Sequence, residues 1–362
     1  MTTNPKRNIP TLDGWRALAI LLVTFCHAAM SIWSDNPKIV AMTQFGALGV
    51  DVFFALSGLL ITKLLLEEHK RTGGINLKAF YIRRCFRVLI PCYCYVAFVF
   101  LFSLYRNRLE LLSSVLFFRN YLSAAYEGPY TRHLWSLAVE EHFYLLWPPI
   151  LVLVTVKYGR EVAMWMSVVC ALWRIVVDQY FAGFAAYGFP QYRTDYRLDT
   201  LFWGCVAAFL LHESYEKMKN KITPLVWTAI LVGYFLCLTF YSPMTRLWMP
   251  MLIPLLIVGT LTHPHWMLSR ILEWSPIQWI GRLSYSLYLW QMLFFTETSH
   301  SPYWWQHFPV NVVLALGAAV VSYYFIETPL LRIGKRLSAA VVNRNNAAGD
   351  SFKAPAAVGE AS

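Results

Sequence analysis

Two ionisable side chains interrupt the first apolar stretch of the chain, LDGWRALAILLVTFCH. In a helix, Arg16 and His27 share one face and lie about 16 Å apart along the axis. An arginine can hold an anion, and an imidazole at that depth can take a proton from a hydroxyl group. The alternatives are that Arg16 anchors the helix at a membrane surface and that His27 is a buried histidine bonded to a backbone carbonyl.

A second polar interruption lies in the segment HLWSLAVEEHFYLLWPP, which contains two adjacent carboxylates. His133, Ser136 and Glu140 fall at i, i+3 and i+7 and form one polar stripe, whereas Glu141 points about 100° away. A carboxylate from this helix that meets the imidazole of the first segment would orient it and fix its tautomer, as a general base requires. The alternative is a buried ion pair that only fixes the packing of helices.

The loop 63–87 is rich in basic residues, and Arg83, Arg84 and Arg87 crowd its end in the run RRCFRVLIP. A loop on the positively charged side of a membrane explains its other basic residues. Three guanidinium groups within five residues are more positive charge than membrane orientation requires, and their forked hydrogen-bond donors suit phosphate groups. These three arginines are therefore predicted to bind an anionic ligand.

Polar residues outside these segments are candidates for contact with a substrate. The segment YRLDTLFWG carries Arg197 and Asp199, for which a local ion pair between the two is the alternative. We predict substrate contacts for these two and for His133 and Ser136. Two further carboxylates, in GVDVFFALSG and FIETPL, suit helix caps or packing as well as ligand binding.

The elements that position these side chains follow from the composition, which is 57% apolar and only 14% charged. Soluble proteins carry about 25% charged residues, so the excess apolar surface calls for a bilayer. Apolar runs near the length that crosses a hydrocarbon core occur ten times. They cover residues 14–33, 46–66, 88–105, 134–156, 161–178, 197–212, 224–241, 247–262, 280–296 and 310–331. The predicted fold class is all-α, a polytopic membrane helix bundle of about ten transmembrane helices.

The charge of the chain agrees with this topology. Lys and Arg number 31 against 20 Asp and Glu, a net charge of +11. With ten spans and a cytoplasmic N-terminus, 22 of the 31 lie on the inside, 8 lie on the outside and one, Arg174, falls within a span. Both termini are thus predicted to be cytoplasmic, and a nucleic-acid partner is not expected. No cysteine or histidine spacing suggests a metal site.

The predicted domains are a transmembrane domain over 1–338 and a disordered cytoplasmic tail over 339–362, rich in Ala, Asn and Gly.

Taken in order, the motifs of the chain resemble those of the acyltransferase 3 family of integral membrane O-acyltransferases, over residues 8 to 335. They are LDGWRALAILLVTFCH, GVDVFFALSG, RRCFRVLIP, HLWSLAVEEHFYLLWP, YRLDTLFWG, GRLSYSLYLW and FIETPL. The resemblance implies about ten spans in the cell (inner) membrane. It also implies an acyl-CoA donor, acetyl-CoA above all, that enters from the cytoplasm and acylates a hydroxyl of an envelope carbohydrate or glycolipid.

The resemblance also assigns roles to residues. It matches His27 to a histidine essential to transfer, and Glu140 and Glu141 to the paired glutamates of the family. It associates the arginines Arg84 and Arg87 with the donor, to which we add Arg16 and Arg83 as further acyl-CoA contacts. We predict His27, Glu140 and Glu141 as the catalytic residues, with His27 accepting the hydroxyl proton and Glu140 or Glu141 supporting the imidazolium. The partners expected are therefore acyl-CoA, a carbohydrate or glycolipid acceptor and membrane lipids, with no permanently bound cofactor and no metal.

Two departures from the family pattern stand in this chain. His142 occupies a position where the family usually has Gln, and Gln291 occupies one where many members have His. The group that stabilises the oxyanion of the reaction is open, with Ser136 and Tyr144 as candidates. A transporter or flippase of an envelope precursor is the main alternative function, and an inactive sensor or scaffold is a third.

Overall fold

The fold is known from a computed structural model that describes residues 9–33, 36, 38–39, 45–122, 126, 128–180, 190–240, 243–295 and 303–353. Within these ranges the chain is almost entirely helical and has no strand, so the all-α class is confirmed. Residues 1–8 and 354–362 lie outside the described ranges. The side of the membrane on which the two termini lie therefore stays a prediction.

Fourteen α-helices are described, numbered here in chain order. They are α1 Pro10–Trp33, α2 Phe45–Thr72, α3 Leu77–Arg84, α4 Ile90–Leu101, α5 Arg108–Val115, α6 Leu134–Leu153, α7 Thr155–Tyr180, α8 Thr194–Lys221, α9 Pro224–Thr239, α10 Pro243–Thr262, α11 Met267–Leu272, α12 Ser275–Trp290, α13 Val310–Ser322 and α14 Thr328–Lys353.

Short non-α turns join or interrupt these helices. Two are π-helical, Cys85–Leu89 between α3 and α4 and Tyr323–Glu327 between α13 and α14. The 3-10 turns are Arg119–Tyr121, Pro190–Tyr192, Gln291–Leu293 and Trp304–Gln306.

Local sequence sets the start of several helices. The side chain of Asn76 caps α3 by accepting a hydrogen bond from the backbone N–H of Ala79 at 2.9 Å. Thr223 caps α9 in the same way. It is followed by Pro224, which lacks a backbone N–H but costs no hydrogen bond there, because N–H groups in the first turn of a helix have no acceptor within it. Such caps fix where a helix begins even when apolar side chains continue on both sides.

The bundle is organised around α1, α2 and α8, with α1 packed against α2 and α12, and α2 crossed by α8. Glycines permit the closest approaches. A Cβ on Gly58 would lie 1.9 Å from the carbonyl oxygen of Leu201, and one on Gly204 would lie 2.3 Å from that of Ala55. The backbones of α2 and α8 are therefore in direct contact at this crossing, as small residues in membrane helices allow.

Length and apolarity of the helices identify a membrane protein. Four described segments could each cross a bilayer, Pro10–Ser31, Gly46–Thr72, Leu77–Leu101 and Val310–Arg344. Helices α8 and α9 would make a fifth if their 98° bend lies within one span. Helices also cover the described parts of the other predicted runs, but none of these helices alone is both long and apolar enough to cross a bilayer. The count of ten spans therefore stays a prediction.

The last described helix, α14, runs from Thr328 to Lys353 and so extends beyond residue 338. Its first half packs against α3 and the π turn that follows α3. The predicted boundary between a membrane domain and a tail stays a prediction.

Candidate active site

Arg16 lies in the second turn of α1 and meets charged groups from several other helices. Its Nη1 donates a hydrogen bond to Asp13 Oδ1 at 3.0 Å. Its charge interacts with those of Arg87, Glu140 and Glu327. The predicted anion-binding residue thus belongs to a cluster and is not an isolated anchor.

The three crowded arginines divide into two groups. Arg83 donates to Glu68 Oε2 at 3.1 Å, and the other oxygen of Glu68 accepts from the Asn76 N–H at 2.9 Å. This ion pair ties the loop between α2 and α3. Arg84 points the other way, with its guanidinium carbon 3.6 Å from the ring centre of Tyr144.

Arg87 belongs with Arg84 and not with Arg83. It lies in the first π turn, and its charge interacts with those of Arg16, Arg84 and Glu327. Glu327 closes the second π turn and accepts a hydrogen bond from Ser286 at 2.9 Å. Three arginines from α1, α3 and the π turn therefore converge, and we call Arg16, Arg84 and Arg87 the arginine cluster.

The carboxylate of Glu140 lies beside the arginine cluster and is held by two hydroxyl groups. Ser57 donates to Oε1 at 3.0 Å, and Tyr144 donates to Oε2 at 2.8 Å. The two hydroxyl oxygens lie 2.9 Å from each other. These two hydroxyls fix the Glu140 carboxylate on the side of the arginine cluster, and the expected support of His27 by Glu140 or Glu141 stays a prediction.

Glu141 points to a different side of α6, as its spacing predicts. Its charge interacts with those of Arg84 and Glu140. One carboxylate oxygen, Oε1, is buried and forms no hydrogen bond with any described residue. Both predicted glutamates are therefore near the arginine cluster.

His27 lies on α1, half-buried, at the far end from Arg16. It lies near the imidazole of His133, which is 4% exposed at the start of α6. The ring of His133 packs edge-on against Tyr95 at 5.6 Å and against Tyr288 at 5.0 Å between centroids. Ser136 lies 3.1 Å from the hydroxyl of Tyr288, which also donates to the backbone oxygen of His133.

We call this group of side chains, His27, His133, Tyr95 and Tyr288, the aromatic chamber. Of the residues predicted to contact substrate, His133 belongs to it and Ser136 lies beside its Tyr288. The chamber and the arginine cluster are thus two sites along α1, about 16 Å apart by the rise of the helix between Arg16 and His27.

Arg197 and Asp199 do not pair with each other, so the alternative of a local ion pair between the two is wrong, and their predicted contact with substrate stays a prediction. Arg197 binds Asp51 at 2.8 Å, and Asp199 binds Arg174 at 2.5 Å. Residues at i and i+2 of a helix point to opposite sides, which prevents a direct contact. The pairs instead join α8 to α2 and to α7, and they account for the arginine that falls within an apolar run.

His142 and Gln291, the two residues that depart from the family pattern, both have hydrogen-bond partners in the structure. His142 Nδ1 lies 2.6 Å from the hydroxyl of Thr194, and Asn120 donates to the same hydroxyl at 2.8 Å. Gln291 is fully buried and accepts a hydrogen bond from Thr24 at 2.8 Å.

Sequence reasoning missed Ser57, Tyr288 and Thr24. Each is a hydroxyl residue within an otherwise apolar segment. Buried charges need hydrogen-bond partners, so a hydroxyl residue at the same membrane depth as a predicted buried charge is a candidate partner. This rule could have identified these residues from the sequence.

Comparison with known proteins agrees with the residues described above. The acyltransferase 3 family model, described as an acyltransferase domain, matches residues 9–327. No solved structure gives a significant match.

Three relatives illustrate the similarity to proteins of known name. Peptidoglycan O-acetyltransferase OatA of Listeria monocytogenes is 29% identical, in an alignment that covers 92% of this chain and 57% of that protein. YrhL of Bacillus subtilis, a candidate peptidoglycan O-acetyltransferase, is 29% identical, covering 92% of this chain and 56% of YrhL. A candidate O-acetyltransferase of Staphylococcus aureus is 30% identical, covering 91% of this chain and 58% of that protein.

The chain therefore spans little more than half the length of these relatives. The family match nevertheless covers most of this chain, including Arg16, His27 and both glutamates, and it confirms the prediction of an acyl-transferring enzyme. On this evidence the chain belongs to the acyltransferase 3 family.

Proposed function

We propose that this chain is an O-acyltransferase of the cell (inner) membrane. It moves an acyl group, acetyl above all, from cytoplasmic acyl-CoA to a hydroxyl of an envelope carbohydrate. Peptidoglycan is the first acceptor to test, because OatA is named for that polymer. The observation that carries the proposal is the placement of the arginine cluster and the aromatic chamber at two levels of α1.

The spacing of the two sites suits an acyl-CoA donor. Coenzyme A has an anionic head on a pantetheine arm roughly 20 Å long, comparable with the rise of about 16 Å between Arg16 and His27. Guanidinium groups bind phosphate through paired, charge-assisted hydrogen bonds. Arg16, Arg84 and Arg87 hold the head of the donor, while its thioester reaches His27.

Glu140 and Glu141 act in this scheme as positioning residues. Three guanidinium groups in one place repel one another, and buried carboxylates beside them offset that repulsion. The charge of Glu140 interacts with those of Arg16 and Arg84, and that of Glu141 interacts with Arg84. Glu140 itself is fixed by the hydroxyls of Ser57 and Tyr144.

At the other end of the arm, His27 acts as the general base. It takes the proton of the acceptor hydroxyl as that oxygen forms a bond to the thioester carbon. The tetrahedral intermediate then releases the thiolate of coenzyme A, which takes the proton from the imidazolium. An ester and free coenzyme A are the products, and only the acyl group leaves the donor.

Substitution of the proposed base tests this function. We expect His27→Ala to abolish acyl transfer while membrane insertion is retained, because the helix keeps its apolar surface. Transfer is measured with radiolabelled acetyl-CoA and peptidoglycan fragments in vesicles that contain the purified protein. His263→Ala is the matched control, since this histidine stacks on Trp266 at 4.2 Å, near the C-terminal end of α10.

Near-normal turnover in His27→Ala would refute the mechanism. If the parent protein consumes acetyl-CoA but does not label peptidoglycan fragments, the acceptor assignment is wrong and other envelope glycans are to be tested. If it transports a glycan without any acyl transfer, the enzyme proposal itself fails.

A further inference from the structure

Gln291 offers a buried hydrogen-bond donor that none of the described residues uses. It is the first residue of the 3-10 turn that follows α12, and it is 0% exposed. Its Oε1 accepts the hydrogen bond of Thr24, whereas its Nε2 is buried and has no acceptor within the described part of the chain. Buried amide groups are nearly always paired with protein, water or a ligand, so this donor is available to a bound group.

The partner of Gln291 places it beside the proposed base. Thr24 precedes His27 by three residues of α1, so the two side chains share a face and are separated by about 4.5 Å along the axis. The hydrogen bond from Thr24 therefore holds the amide of Gln291 one helical turn from the imidazole.

The residues before Gln291 on α12 border the aromatic chamber. Tyr288 packs against His133, and Trp290 packs edge-on against Tyr95 at 5.4 Å. The end of α12 thus contributes Tyr288 to the aromatic chamber, and α1 contributes His27. Gln291 joins the two helices through its hydrogen bond with Thr24.

We infer that the Nε2 amide group of Gln291 donates a hydrogen bond to the acyl carbonyl oxygen as it becomes an oxyanion. The inference rests on the proposed function. When the acceptor hydroxyl attacks, its oxygen bonds to the carbonyl carbon, its proton passes to His27, and the carbonyl electron pair moves onto oxygen. Collapse restores the C=O bond, breaks the C–S bond and returns the proton to the thiolate.

The other two candidates for this role are already engaged. Ser136 is paired with Tyr288 at 3.1 Å, and the hydroxyl of Tyr144 donates to Glu140 at 2.8 Å. A neutral amide that is fixed at its other end costs no reorganisation when charge develops, which is the requirement for a group that stabilises an oxyanion.

The experiment compares Gln291→Leu and Gln291→Glu with the parent protein. We expect both to lower kcat by about 100-fold or more, because loss of one oxyanion donor has effects of that size. Gln291→Leu has no donor, and Gln291→Glu replaces the donor with a carboxyl oxygen. Acetyl-CoA affinity, measured by equilibrium binding, should be unchanged because the arginine cluster is intact. Thr24→Val, which frees the amide, should lower kcat by a smaller factor without affecting binding.

Gln306→Leu is the matched control. This glutamine is also buried, but its Nε2 donates to the backbone oxygen of Leu293 at 3.0 Å. Its loss should lower the unfolding temperature and leave kcat within about threefold of the parent, since no transition-state contact is removed.

Three results would overturn the inference. One is a kcat close to that of the parent in folded Gln291 variants. Another is an equal loss of kcat, affinity and unfolding temperature in the variants of Gln291 and Gln306, which would make both residues structural. The third is an absence of acyl transfer by the parent protein, which would remove the proposed function as well and is thereby distinguished from the first two.

Discussion

Substitution of Asp199 by asparagine should destabilise the protein more than loss of any exposed ion pair. Arg174 and Asp199 are paired at 2.5 Å, and their side chains are 7% and 0% exposed. Asp199→Asn keeps the shape of the side chain but leaves the guanidinium group without its carboxylate. Removal of one partner from a buried pair costs about 3–5 kcal/mol, because the remaining charge stays buried.

The second pair of the network limits that loss. Arg197 and Asp51 are joined at 2.8 Å and are 15% and 13% exposed. The charge of Asp51 also interacts with that of Arg174. Asp51 therefore offsets part of the charge that Asp199→Asn uncovers, and we expect a loss near the lower end of the range, about 3 kcal/mol.

The assay is equilibrium unfolding of the purified protein in mixed detergent, with three variants and one control. Asp199→Asn is compared with Arg174→Met and with the double variant Arg174→Met, Asp199→Leu. The double variant should be about as stable as the parent, since apolar replacement of a whole buried pair is often neutral. The control is Glu213→Gln, which breaks the exposed pair with Arg160 and should cost no more than about 1 kcal/mol.

A loss in Asp199→Asn no larger than in Glu213→Gln would refute the reasoning, as would a double variant less stable than either single one. The double variant also tests the predicted substrate contact. If it transfers acyl groups like the parent protein, Asp199 has a structural role only.

Two further predictions concern the arginine cluster and its neighbours. Arg84→Ala combined with Arg87→Ala should weaken acetyl-CoA binding in a calorimetric titration more than Arg83→Ala does, because Arg83 is paired with a carboxylate of α2. Equal affinity in the double variant and the parent would remove those two arginines from the donor site. Tyr144→Phe deletes a hydroxyl that donates to a buried carboxylate and should lower the unfolding free energy by about 1.5–3 kcal/mol. Tyr158→Phe, at a ring that is 55% exposed, should have almost no effect, and equal losses in the two variants would contradict this account.

Much of the fold follows from local sequence. Apolar runs identify the helices that the structure describes. The polar residues that interrupt the runs were also found from the sequence, because charges within apolar segments are rare. The ends of the helices and the number that cross the bilayer depend on tertiary packing, which periodicity does not describe.

The partners of the charged residues were harder to predict. Arg197 and Asp199 are only two residues apart, yet each bonds to a different helix, because side chains two apart on a helix point to opposite sides. Arg83 and Arg84 are adjacent in sequence, yet one ties a loop while the other faces Tyr144. Spacing predicts which face of its own helix a side chain occupies, whereas its partner depends on which helix lies opposite.

The two π turns place a constraint on the length of the chain. Each contains one residue more than an α turn would, with the Ile90 N–H bonded to the Cys85 oxygen in one and the Thr328 N–H bonded to the Tyr323 oxygen in the other. Deletion of a single residue would restore α geometry, but it would rotate one flanking helix about 100° relative to the other. Relatives that keep this site should therefore exchange residues within these turns without gaining or losing any.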